Sequence, residues 1–190
     1  MFCLSINDSI YDKIKKLNYI PVGLGDFEYK NNWLRDNTGE NISFKNKQYG
    51  EYTFHYWFWK NMLSKTDINT WVGFCAQRRF WSNDNSNKVI KDFNDLNLNT
   101  LKSIPETWNS YDVVLGNEVN VTNMRFIKIL KHGKTALIKN PFFLFKKNRN
   151  IKFQFDIFHG YGVLDKAINL LPDIDKKDFK HFVESKNSYN

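Results

Sequence analysis

The chain alternates short apolar runs with polar, lysine-rich and asparagine-rich stretches, and the spacing within each run predicts its element. Residues 2–5 (Phe-Cys-Leu-Ser) read as a first strand, and residues 11–17, with Lys13, Lys15 and Lys16 facing outward, as a brief helix or turn. Residues 19–25 form a second extended segment that ends in glycines, with Pro21 suited to an edge or a strand start. From 26 to 47 the periodicity lapses into a long irregular loop, and long loops inside compact domains are usually functional. Residues 48–63 are the clearest helix. Aromatic residues occupy nearly every face of it, which predicts burial all round.

The uninterrupted apolar run 71–76 reads as a buried central strand that delivers Gln77, Arg78 and Arg79 at its carboxyl end. A polar loop is expected over 82–88, a weakly amphipathic helix over 89–101, and a strand over 111–116 that presents Asn117 and Glu118. Beyond it, residues 124–130 look helical and basic, 135–138 and 142–145 read as short strands, and Phe153, Phe155 and Ile157 alternate as in a strand. Helices over 162–171 and 175–183 complete the chain. Alternating strands and helices without a repeat or linker imply one α/β domain with a mixed, mainly parallel sheet flanked by helices.

Composition narrows the function only slightly. With 190 residues, 42% of them hydrophobic, the chain is long enough for one substantial core. The net charge of +8 favours anionic partners without choosing among nucleotides, nucleic acid, acidic glycan and anionic lipid. Lysine and asparagine abound throughout, as an AT-rich genome would give, and the lysines scatter instead of forming one stripe, which argues against a nucleic-acid module. Two cysteines, Cys3 and Cys75, form neither a disulfide framework nor a metal spacing and suit a reducing cytoplasm. No apolar run approaches a membrane span, so at most peripheral contact with the inner face of a membrane is expected.

Candidate chemistry concentrates between residues 36 and 81. Two adjacent guanidinium groups, Arg78 and Arg79, can fork onto a nucleotide diphosphate; a structural ion pair is the alternative. The loop Asp36-Asn37-Thr38-Gly39-Glu40-Asn41 could hold ribose or sugar hydroxyls or a divalent ion, or could be a plain solvent turn. Phosphate-cradling glycine loops, glycine-flanked nucleophilic serines and His-Glu-x-x-His pairs are absent. The triplet Asp173-Ile-Asp175 follows Pro172 and reads as a helix start. His55 reads as interior. His159, in a glycine-flanked loop, is the better general-base candidate, with Glu118 as its rival.

The ordered blocks Asp36-Asn-Thr-Gly-Glu-Asn-Ile-Ser43, then Asn46, Tyr49, Glu51 and Thr53, then Tyr56-Trp57-x-Trp59-Lys60-Asn61, then Gly73-Phe-Cys-x-x-Arg78-Arg79-Phe80 resemble the family named domain of unknown function 4422. That family is associated with capsular polysaccharide and lipopolysaccharide biosynthesis and is regarded as glycosyltransferase-like. The resemblance implies a GT-A (nucleotide-diphospho-sugar transferase) fold, a nucleotide-diphospho-sugar donor, a surface-glycan or lipid-linked acceptor, and a cytoplasmic enzyme. It also admits a divalent ion, Mg or Mn, whose ligands are not apparent, and it leaves no role for nucleic acid. On this reading Arg78, Arg79 and residues Asp36 to Asn41 bind the donor, while Tyr49, Glu51, Tyr56, Trp57, Trp59, Lys60 and Asn61 support the pocket. Where the family has His-Tyr before the arginine pair, this chain has Ala76-Gln77, so a catalytic role there is vacant or moves to Gln77. The family continues into an Asn-Met-Phe-Ile segment and this chain ends at Asn190 before it, so a C-terminal segment is expected to be lacking.

Overall fold

The computed structural model describes residues 1–30, 32–83 and 89–189, so most of the expected polar loop 82–88 lies outside the described residues. The chain divides into two compact units, Met1–Asp112 and Val113–Asn190.

The first unit is built on a parallel sheet of β1 (Phe2–Ser5), β2 (Ile20–Gly23), β3 (Leu34–Arg35) and β4 (Phe74–Ala76), in the order β3-β2-β1-β4. Helix α1 (Tyr11–Lys16) links β1 to β2. Helices α2 (Asn46–Tyr49) and α3 (Tyr52–Asn61) lie between β3 and β4, and α4 (Phe93–Asn99) follows β4. The chain steps one way across the sheet from β1 to β3 and then returns past β1 to β4. With one crossover handedness, a reversal of direction puts the linking helices on opposite faces. The cores agree. Cys3, Ile14, Leu17, Tyr19, Trp33 and Cys75 pack on one side, and Leu4, Val22, Leu24, Phe54, Trp57 and Phe58 on the other. Within β1, Cys3 and Leu4 therefore face opposite ways, as strand pleating requires.

Three expectations are corrected in this unit. The run 71–76 supplies an edge strand of three residues, not a central one, and of its side chains only Cys75 is buried. Its apolarity is spent on aromatic packing: Phe74 meets Phe2, Phe54, Phe58 and His55. The helix predicted over 48–63 is broken at Gly50, which takes φ +55°, and α3 buries only Thr53, Phe54, Trp57 and Phe58, leaving Tyr52 and Trp59 exposed. The expected loop 26–47 contains β3, while Pro21, the second residue of β2, stands at the expected strand start, where the Ile20 N–H bonds Met1 and β3 begins only opposite Val22.

In the second unit, β5 (Glu118–Asn120) pairs antiparallel with β6 (Asn187–Tyr189), and the rest is helical: α5 (Phe126–His132), α6 (Lys134–Lys139), α7 (Ile151–His159), α8 (Val163–Asn169) and α9 (Asp173–Glu184). Four expected strands fail here. Residues 111–116 form none, and Tyr111, Val113 and Leu115 are exposed. Residues 135–138 belong to α6, and 142–145 overlap a 3-10 turn, Pro141–Leu144. The alternating 153–157 segment is α7, buried on two faces. Phe153 and Ile157 join Ile129 and Ala136, whereas Phe155 packs on Leu164, Ile168 and Val183. Burial on both faces mimics a period of two. The Asn150 side chain, which caps α7 by accepting from the Phe153 N–H at 2.9 Å, was the overlooked helix signal.

Arg149 is buried and donates to the carbonyls of Phe143, Thr122, Met124 and Leu144, tying the turns before α7 together. Burial without a carboxylate partner lowers its pKa. Lys152 is pulled down by burial, but its hydrogen bond to Asp165 and the charges of Asp156 and Asp165 outweigh that and raise its pKa.

Candidate functional site

All four strands of the first sheet are parallel, so their carboxyl ends share one rim, where open α/β sheets bind ligands. The strand order reverses between β1 and β4. There the Ser5 hydroxyl donates to Gln77 Oε1 at 2.7 Å, and the Gln77 N–H bonds the Leu4 carbonyl. Gln77 thus closes the switch point. Its side-chain oxygen is engaged, and a carboxamide cannot act as a base at neutral pH.

Beside it lies a cleft of about 690 Å³ lined by Asp8, which follows β1, by residues 26–30, which follow β2, and by Arg35 and Asn37 at the end of β3. Gly23 and Gly25 permit its floor. The Tyr29 ring packs so closely on Gly23 that a Cβ would meet it at 2.8 Å, and Gly25 takes φ +65°. The Tyr29 hydroxyl donates to the Ser5 carbonyl at 2.8 Å, tying this loop to the end of β1. Burial, only partly relieved by a hydrogen bond at Leu24 and the charge of Arg35, pushes its pKa up to about 12.

Arg35 is the best-placed cation. Its guanidinium stacks 4.4 Å over Tyr29 and donates to the Gly25 carbonyl at 2.7 Å and the Gly23 carbonyl at 3.3 Å. No carboxylate forms an ion pair with it among the described residues. A guanidinium held in orientation by neutral carbonyls keeps its charge for an incoming anion. Lys30 adds a second cation, and Phe27 exposes a ring. Asp8 is committed to structure, accepting from the Trp33 indole at 2.8 Å and the Lys30 N–H at 3.1 Å. Asp26 and Glu28 stand exposed at the mouth. Among the described residues no three His, Cys, Asp or Glu side chains converge as metal ligands.

The Asp36–Asn41 loop is mostly a structural clasp. Asp36 is fully buried, accepting from the Gly25 N–H at 2.8 Å and the Thr53 hydroxyl at 2.6 Å, so it has no free oxygen for a sugar. Burial raises its pKa against the pull of those hydrogen bonds and of Arg35. The Trp57 indole donates to the Thr38 carbonyl at 2.7 Å. Asn61 donates to the Glu40 carbonyl and accepts from its N–H. Tyr56 and Lys60 both reach the Glu40 carboxylate, and their hydrogen bonds hold its pKa below the usual range. Gly39 takes φ +57° directly against Asn61. Tyr56, Trp57, Lys60 and Asn61 therefore support this loop, and Trp59, though more than half exposed, packs edge-on against Tyr56 with the Lys60 ammonium 4.1 Å over its ring, whereas Tyr49 and Glu51 are exposed. Of the loop, Asn37 alone lines the cleft.

Arg78 and Arg79 are exposed on the turn that closes with the Arg79 N–H on the Ala76 carbonyl at 2.9 Å. They share the rim but do not line the cleft. The β4 strand that carries them stands three strand spacings, roughly 14 Å, from β3 and the Asn37-Thr38-Gly39 loop. The described residues thus do not bring that loop and the arginine pair into one pocket, and the cleft on this rim is built on Arg35. Sequence reasoning passed over Arg35, Tyr29 and Lys30. The signal was their position, Arg35 as the last residue of β3 and Tyr29 and Lys30 in the loop after β2. Glu118 is exposed at the start of β5, not at the end of a parallel strand, and His159 is the exposed last residue of α7, its ring 4.3 Å from Phe155. Both belong to the second unit.

A family model described as Domain of unknown function (DUF4422) matches residues 7–156. The chain belongs to this family. The match begins just after β1 and takes in the cleft, the clasp and, from the switch point, β4 and Gln77 but not Ser5. No curated protein and no solved structure matches the chain. Among the described residues no helix is long and apolar enough to cross a membrane.

Proposed function

We propose that the chain is a glycosyltransferase of GT-A type that uses a nucleotide-diphospho-sugar donor and transfers the sugar to a surface-glycan or lipid-linked acceptor. The observation that carries this reading is the pre-oriented Arg35 guanidinium, without an ion pair among the described residues, in a cleft at the carboxyl ends of three parallel strands, next to the reversal of strand order. Arg35 and Lys30 take the diphosphate, where stabilising charge on the leaving group lowers the barrier. Phe27 offers a face for a base, and Asp26 and Glu28 accept from ribose or sugar hydroxyls. Arg78 and Arg79 supply positive potential along the same rim.

The test is calorimetry with UDP-, GDP-, CDP- and dTDP-sugars on the full chain. One of them should bind, and Arg35→Ala should weaken that binding about tenfold or more, the worth of a charge-assisted pair. Folded protein that binds none of them would end the proposal. Gln77 favours a second reading, in which the cleft binds a nucleotide sugar without transferring it. Donor binding with neither transfer nor slow donor hydrolysis would favour that reading.

A further inference from the structure

Basic charge is far less dispersed than the whole-chain composition suggests. Residues 119–155 contain nine lysines and arginines and no aspartate or glutamate. Seven of these bases, from Arg125 to Lys147, are exposed. The same stretch exposes large apolar side chains: Ile127 at 78%, Ile138 at 80%, Phe142 at 66% and Phe145 at 59%. The two sets coincide on the helices. In α5, Ile129 is the buried residue, and helical spacing turns Ile127 and Lys131, four residues apart, to the opposite side. In α6, Ala136 is buried, and Lys134 and Ile138 turn away from it in the same manner. Phe142 and Phe145, three apart around a 3-10 turn, stand immediately before Lys146 and Lys147.

We propose that this face, residues 125–147, docks on an anionic lipid bilayer, with the isoleucines and phenylalanines entering the headgroup boundary and the lysines resting on lipid phosphates. Exposed aliphatic side chains beside unopposed lysines are what an interfacial amphipathic surface requires. A nucleic-acid groove would use the lysines but would leave Ile127 and Ile138 without a partner, since backbone phosphates offer them nothing. Each base held near an anionic surface strengthens binding roughly fivefold, and the apolar side chains add an attraction that salt does not screen. The surface belongs to the second unit, so the inference does not depend on what the cleft binds.

The test is flotation of the full chain with phosphatidylcholine vesicles, with and without phosphatidylglycerol, at low and high salt. The chain should float only with the anionic vesicles, less so at high salt. The double variant Ile127→Ser/Ile138→Ser, at two solvent-facing positions, should lose about tenfold or more in partitioning with an unchanged circular dichroism spectrum. Lys134→Glu/Lys139→Glu should lose at least as much at low salt and little further at high salt. Phe142→Ser provides an independent single substitution with the same expected direction. No flotation by the wild-type chain, equal flotation with neutral vesicles, or serine variants that float like wild type would each overturn the proposal. So would tight binding of a single-stranded oligonucleotide that the serine variants leave unchanged without vesicle binding, which would identify a nucleic-acid surface instead.

Discussion

Replacing Asp36 separates a structural clasp from a ligand contact. Asp36→Ala removes the acceptor for the buried Gly25 N–H and for the Thr53 hydroxyl. Each hydrogen bond to a charged acceptor is worth about 1.5–3 kcal/mol, and relief of carboxylate burial offsets part of that, so a net loss of about 2–4 kcal/mol is expected. Asp36→Asn keeps an oxygen for Gly25 and should lose about 1 kcal/mol. All six tryptophans lie in Met1–Asp112, so urea unfolding followed by tryptophan fluorescence reads this unit alone. The pH dependence has a definite sign. Burial raises the folded pKa of Asp36 above its ordinary value of 3.8, so the folded state keeps a proton that the unfolded state has released. This contribution to stability is fully present below the ordinary value and is lost as pH rises through the raised one. The stability difference between wild type and Asp36→Asn should therefore shift against wild type across that window and level off above it. An alanine variant as stable as wild type would refute the reasoning. So would an asparagine variant with unchanged stability but abolished nucleotide-sugar binding, which would return Asp36 to the ligand.

Gly39→Ala should destabilise the first unit by about 1–3 kcal/mol in the same urea assay, because φ is +57° there and the added Cβ would run into Asn61. Trp57→Phe keeps the ring packing but removes the 2.7 Å bond to Thr38; about 1–2 kcal/mol should be lost, with faster amide exchange at Gly39 and Glu40. Alkaline difference absorbance should show Tyr29 ionising only near pH 12, and Tyr29→Phe should remove one tyrosine's share of the late absorbance change while leaving that of Tyr19, which burial pushes higher still. Stability contributed by the protonated phenol is present below its ordinary value of 10 and is lost as pH rises towards 12. Calorimetry on Arg78→Ala and Arg79→Ala should show smaller losses in donor affinity than Arg35→Ala, since exposed charges on the rim act through a screened field.

Local pattern read residues 26–47 as one loop and missed β3 within it, but it alone determined β1, α1 and the helices that became α4, α5, α8 and α9. Each follows from side-chain periodicity, capping and glycine placement acting within a few residues. The signature blocks also marked the clasp, since the loop at 36–41 and the helix at 56–61 bond to each other through Trp57, Lys60 and Asn61. Tertiary structure alone decided what those blocks are for. A carboxylate such as Asp36 reads the same whether its oxygens face a sugar or a buried backbone N–H, and only burial tells them apart. Likewise β4 became an edge strand and α7 a helix because strand order and two-sided packing depend on residues distant in the chain. The cleft, too, exists only once three strands lie parallel and bring Asp8, Tyr29 and Arg35 to one rim.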